Sequence, residues 1–69
     1  MVEVFKTNVM HAADAGKMEQ LLRAAFPDCH FNFDLDDCDK IFRIVSCSDV
    51  SEQVIAIFTG QHFSCSILA

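Results

Sequence analysis

Residues 30 to 46 read His30-Phe-Asn-Phe-Asp-Leu-Asp-Asp-Cys-Asp-Lys-Ile-Phe-Arg-Ile-Val-Ser46, and the alternation within them decides the fold. Phe31, Phe33 and Leu35 fall on one parity and His30, Asn32 and Asp34 on the other, which is the pattern of a strand buried on one side only. The run Asp36-Asp-Cys-Asp39 is turn chemistry. Lys40 to Ser46 then reads as a second strand, in which Arg43 marks the solvated face and leaves Phe42 and Ile44 for the core. Two such strands joined by a short polar turn make an antiparallel hairpin.

On the N-terminal side, residues 2 to 9 are rich in β-branched and aromatic types, with Phe5, Thr7 and Val9 on one parity and Lys6 and Asn8 on the other, so they predict a first strand. From about residue 12 the period changes. Ala15, Met18, Leu21, Leu22, Ala25 and Phe26 share one helical face, and Pro27-Asp28 ends the helix. Beyond the hairpin, Asp49 and Glu52 have capping-box spacing ahead of Val50, Val54, Ile57 and Phe58, which predicts a second helix. Gly60 stands where a helix end favours a left-handed residue, and Phe63, Cys65 and Ile67 alternate with Ser64, Ser66 and Leu68 in a last strand.

The order β-α-β-β-α-β predicts an α+β, ferredoxin-like sandwich: a four-stranded antiparallel sheet ordered 4-1-3-2 with two helices on one face. The residues expected to face the helices are Phe5, Val9, Met18, Leu22, Phe26, Phe31, Phe33, Leu35, Phe42, Ile44, Val54, Phe58, Phe63 and Ile67. At 69 residues and 52% hydrophobic content the chain is expected to form a single domain, 1–69, with a thin but sufficient core. Five basic against ten acidic side chains give a net charge of -5, which opposes any site built to neutralise phosphates, so neither nucleic acid nor an anionic membrane is expected as a partner. No apolar run has the length of a membrane span, and Met1-Val-Glu-Val-Phe-Lys6 lacks the order of a signal peptide, so a cytoplasmic protein is expected.

Cys29, Cys38, Cys47 and Cys65 contain no C-x-x-C pair, the spacing from which a zinc site usually starts. In a reducing compartment they read as free thiols acting as small hydrophobes. The parities of Cys29 and Cys47 put them on opposite faces of the hairpin, against a disulfide in this register.

The opening Val4-Phe-Lys6, the helix Met18-Glu-Gln-Leu-Leu22, the hairpin from Phe33 to Ser46, Val54-Ile55, and Gly60 with Phe63 together resemble the heavy-metal-associated (HMA) domain family. The resemblance spans almost the whole chain and implies a ferredoxin-like fold. In that family a G-M-x-C-x-x-C loop after strand one holds a soft metal through two thiolates. Here the stretch is Asn8-Val-Met-His-Ala-Ala-Asp-Ala15. With Met10 on the family's Met, the two cysteines become Ala12 and Ala15; with the helix register followed instead, they become His11 and Asp14. Both placements lack a thiol, so the family's metal motif is absent.

The topology brings the loop holding His11 and Asp14, the hairpin tip and the Gln61-His62 segment to one end of the molecule. A metal site is not expected. The candidates for one are His11, Asp14 and His62, a mixed imidazole and carboxylate set suited to Zn, Ni or Cu(II). Against that reading, both histidines are solvated loop residues and Asp14 complements the positive end of helix one. The acidic tip fails as an EF-hand, because Cys38 takes the third ligand position, Asp39 the glycine and Val45 the closing Glu. Cys38 is the one exposed thiol in this reading, and its acidic neighbours oppose the thiolate that nucleophilic catalysis needs.

The function expected is therefore a non-catalytic binding or interaction module without a cofactor, acting on another protein or on itself. A homodimer would form through the helix-free sheet face, where Val4, Ile41 and Val45 stand among Lys6, Asn32 and Arg43, or through the open edges of strands two and four. The alternative is a divalent-metal binder using His11 and Asp14.

Overall fold

The computed structural model describes residues 1–36 and 40–68. The elements in chain order are β1 (Val2–Thr7), α1 (Ala12–Ala25), β2 (His30–Asp34), β3 (Ile41–Val45), α2 (Ser51–Gly60) and β4 (Cys65–Ile67). All neighbouring strands are antiparallel, in the order β2-β3-β1-β4, which is 4-1-3-2 read from the β4 edge. One row of the register runs Phe33, Phe42, Phe5, Ile67, so these residues share a face. Met18 and Leu22 from α1 and Val54 and Phe58 from α2 bury in the same core as Phe5, Phe42 and Ile44, which puts both helices on that face. The chain is thus an α+β fold with a four-stranded antiparallel sheet and two helices, compatible with a small ferredoxin-like fold.

Phe42 holds the core together. It lies on a central strand, fully buried, with its ring centroid 6.1 Å from Phe5, 5.7 Å from Phe31, 5.0 Å from Phe33 and 5.3 Å from Phe58. Tilted and edge-on contacts of this kind add to the area they bury. Phe31 and Phe33 were expected to be buried and are only partly so, because β2 is an edge strand with a neighbour on one side. Leu35 and Phe63 are likewise half-buried. Ile67 sits on the helix side of the other edge and remains 60% exposed, a departure from the expected core.

The boundaries differ where side chains compete with the ladder. β1 stops at Thr7, two residues early. The Thr7 amide and hydroxyl both donate to the Lys40 carbonyl, at 3.2 and 2.7 Å, and the Val9 amide donates to Thr7 Oγ1 at 3.3 Å. This brings Lys40, which has a left-handed φ of 50°, to the start of β3. At α2, Asp49 Oδ1 accepts from the Ser51 amide at 2.9 Å and the Ser51 hydroxyl at 2.7 Å, a local Asx turn in place of the expected capping box, and Val50 becomes the N-cap.

The helix end also differs. Gly60 is the last helical residue, and the left-handed residue is His62, with φ of 68°. Its amide donates to the Thr59 carbonyl at 3.0 Å and the Phe63 amide to the Phe58 carbonyl at 3.0 Å, the paired bonds of a Schellman motif centred two residues later than expected. Packing selects this stop, because Phe58 is buried and Phe63 packs back onto the same core.

Replacing Phe42 by Ala is expected to cost about 3–5 kcal/mol, close to the whole stability of a domain this small. Phe31→Ala, on the edge, is expected to cost less than half as much. Urea denaturation of the two variants checks both the size and the order; equal midpoints would contradict the central placement of Phe42.

Candidate functional site

The β1–α1 loop and the segment before β4 do meet at one end of the sheet. The Ser64 amide donates to Asn8 Oδ1 at 2.9 Å, and Thr7 ties the same end to Lys40. His11 is the exposed N-cap of α1 without a side-chain capping bond, Asp14 lies in the first helical turn, and His62 is exposed beyond α2. These three residues do not form a ligand set: among the described residues no group of three or more His, Cys, Asp or Glu side chains could hold a metal ion. Asp37, Cys38 and Asp39, the remainder of the acidic tip and the one thiol considered as a nucleophile, lie outside the described residues.

Cys29, Cys47 and Cys65 are free; Cys29 and Cys65 are half-buried, whereas Cys47, just beyond β3, is exposed, contrary to the expectation that Cys38 would be the one exposed thiol. Cys65 pairs with the buried Thr7 across β1 and β4, and burial pushes its thiol up to about 11, so it is a protonated thiol at neutral pH. With no thiolate pair in the β1–α1 loop, calorimetric titration with Cu(I) is expected to show no stoichiometric binding. Zn and Ni are expected to bind weakly at most, and only where His11→Ala removes the heat. Stoichiometric Cu(I) binding would contradict this.

A different acidic pair lies at the other end, where parity alone could have found it. Glu3 pairs with Ile44 across β1 and β3 and so turns toward the helices, like Phe5. Its Oε2 is enclosed without a hydrogen-bond partner among the described residues. Burial, followed by the neighbouring Asp49 carboxylate, holds the Glu3 carboxyl above its ordinary range, against a smaller opposing pull from the Val50 amide. Asp49 moves the other way, held down by the Ser51 hydroxyl and amide and by the neighbouring Glu3 carboxyl. At the same end the Met1 nitrogen donates to the Ser46 carbonyl and the Ser46 amide to the Met1 carbonyl, joining β1 to the end of β3.

The linkage for Glu3 has a definite sign. Its folded pKa lies above the unfolded value, so the chain is relatively stabilised while both states are protonated and loses that contribution as pH rises through the carboxylate range. Glu3→Gln is therefore expected to be more stable than the parent at pH 7, with the difference closing below about pH 4. Thermal melts across pH check it; a variant less stable at pH 7 would show that the Glu3 charge is compensated.

The helix-free face is the remaining candidate. Its rows run Val2, Val45, His30; then Val4, Arg43, Asn32; then Lys6, Ile41, Asp34. Leu68 extends the second row, its amide donating to the Val4 carbonyl at 2.9 Å. Val2 and Val45 are 62% and 43% exposed and Leu68 is exposed beside Val4. Ile41 was expected to be exposed in this patch, and it is only 5% exposed. It occupies the middle of a row between Lys6 and Asp34. The apolar part of the face is thus at the Val2–Val45 end.

Compared with family models, curated proteins and solved structures, the chain matches none. Among the described residues no helix is long and apolar enough to cross a membrane.

Proposed function

We propose that this chain is a non-catalytic interaction module of the cytoplasm that uses its uncovered sheet to bind protein, either another chain or a second copy. We read it as an HMA-like domain of ferredoxin type without the metal motif, on the support of the element order, the Phe33 to Ser46 hairpin and the thiol-free loop after β1. The observation that carries the functional reading is the exposed Val2–Val45 cross-strand pair beside Val4 and Leu68. Contiguous exposed apolar side chains rimmed by polar ones mark a contact surface.

Charge selects the kind of partner. The chain carries five basic side chains and a net charge of -5, yet among the described residues of β1, β2 and β3 this face carries the cation Arg43 in its middle row, between Val4 and Asn32. The face therefore suits a protein surface that is apolar at its centre and acidic at its rim. Metal binding through His11 and Asp14 is the weaker reading, because no three ligands converge among the described residues.

The double variant Val2→Lys/Val45→Lys is expected to keep its stability within about 1 kcal/mol, since exposed positions tolerate charge. Amine crosslinks from Lys6 to other protein chains in cell extract are expected in the parent and strongly reduced in the double variant. Crosslinks unchanged by the two lysines would contradict the reading, and so would a large loss of stability, which would place the pair in the core.

A further inference from the structure

We infer that the β2 edge pairs with the β2 edge of a second copy of this chain, joining two sheets into one of eight strands. This rests on the interaction-module reading and names its occupant. β2 is the longer of the two edges, five residues against three in β4. Its sequence, His30-Phe-Asn-Phe-Asp34, has mirror polarity about Asn32.

In a two-fold antiparallel pairing centred on Asn32, each residue faces the one equally far on the other side. Asn32 faces its symmetry mate, Phe31 faces Phe33 of the second copy, and His30 faces Asp34 of the second copy. The last two pairs occur twice. Directly opposed side chains stand about 5 Å apart, which suits an imidazole N–H donating to a carboxylate and an aromatic against an aromatic. The existing register puts His30, Asn32 and Asp34 on the helix-free face and Phe31 and Phe33 on the helix side, so each new pair continues a row already present. Centred on Phe31 instead, the pairing would set Asp34 against Asp28 of the second copy.

A second observation comes from α1. The Arg23 guanidinium lies 5.1 Å from the centre of the Phe31 ring, so this flank of the helix leans over β2. A shallow groove follows the same flank, lined by Gly16, Glu19, Gln20, Arg23 and Ala24. A Cβ added at Gly16 would meet nothing within 4 Å. Across a two-fold beside β2, this flank faces its own copy, with Gly16 leaving room and Glu19 and Arg23 presenting opposite charges. Half-buried Phe31 and Phe33 would then be enclosed between two α1 helices. Such an interface is isologous and closes as a dimer. It also places two helix-free faces side by side, doubling the Val2–Val45 surface on one side of the assembly.

Sedimentation at about 100 µM tests this, a concentration suited to a small interface. The parent is expected near twice its 7.7 kDa mass. His30→Asp sets acid against acid at both ends and is expected to weaken the dimer at least tenfold, while His30→Asp/Asp34→His restores the opposed pairs and the dimer. Val2→Lys/Val45→Lys, on the open face, is expected to leave it intact. A monomeric parent overturns the inference, as does a dimer indifferent to His30→Asp or one that the charge exchange fails to restore. A dimer lost only with Val2→Lys/Val45→Lys overturns it too, yet keeps the interaction-module reading, which the crosslinks from Lys6 decide separately.

Discussion

Everything else in the molecule is arranged around the contact of Phe42 with four other aromatic rings. Phe5 comes from β1, Phe31 and Phe33 from β2 and Phe58 from α2, so one side chain of a central strand gathers three other elements. Because all these rings lie on one side of a single sheet layer, both helices cover that side, and among the described residues no element forms a layer on the other. The bare face and open edges are thus a consequence of how the core closes.

Hairpin alternation and helical spacing were sufficient to read the two helices, the strands and the shared face of Phe5, Phe42 and Ile44, because each is a local pattern with a period of 2 or 3.6. What local pattern could not supply was competition between distant groups. Thr7 ends β1 because its hydroxyl finds the Lys40 carbonyl, 33 residues away. His62 takes the left-handed position, and not Gly60, because the helix stop is set by where Phe58 and Phe63 pack. Ile41 has the parity of an exposed residue and is buried all the same. At the candidate sites, topology correctly brought the loop after β1 and the segment before β4 to one end, as the Asn8–Ser64 bond records, but proximity of loops did not make a ligand set.

Glu3 shows the opposite case, a polar residue with an inward parity that composition alone does not flag. Burial and the neighbouring Asp49 hold its carboxyl above the ordinary range, against the pull of the Val50 amide and the Met1 ammonium, while the same Asp49 accepts from Ser51 at the start of α2. The Val2–Val45 pair lies on the reverse of that end, one residue from Glu3 along β1.

Amide hydrogen exchange measured at several protein concentrations tests most directly whether the uncovered sheet is a place of association. β1 and β3, paired on both sides, are expected to exchange slowly at every concentration, and the outward amides of β2 between His30 and Asp34 are expected to become protected as concentration rises, while those of β4 do not. β2 amides whose exchange is the same at low and high concentration would contradict the account.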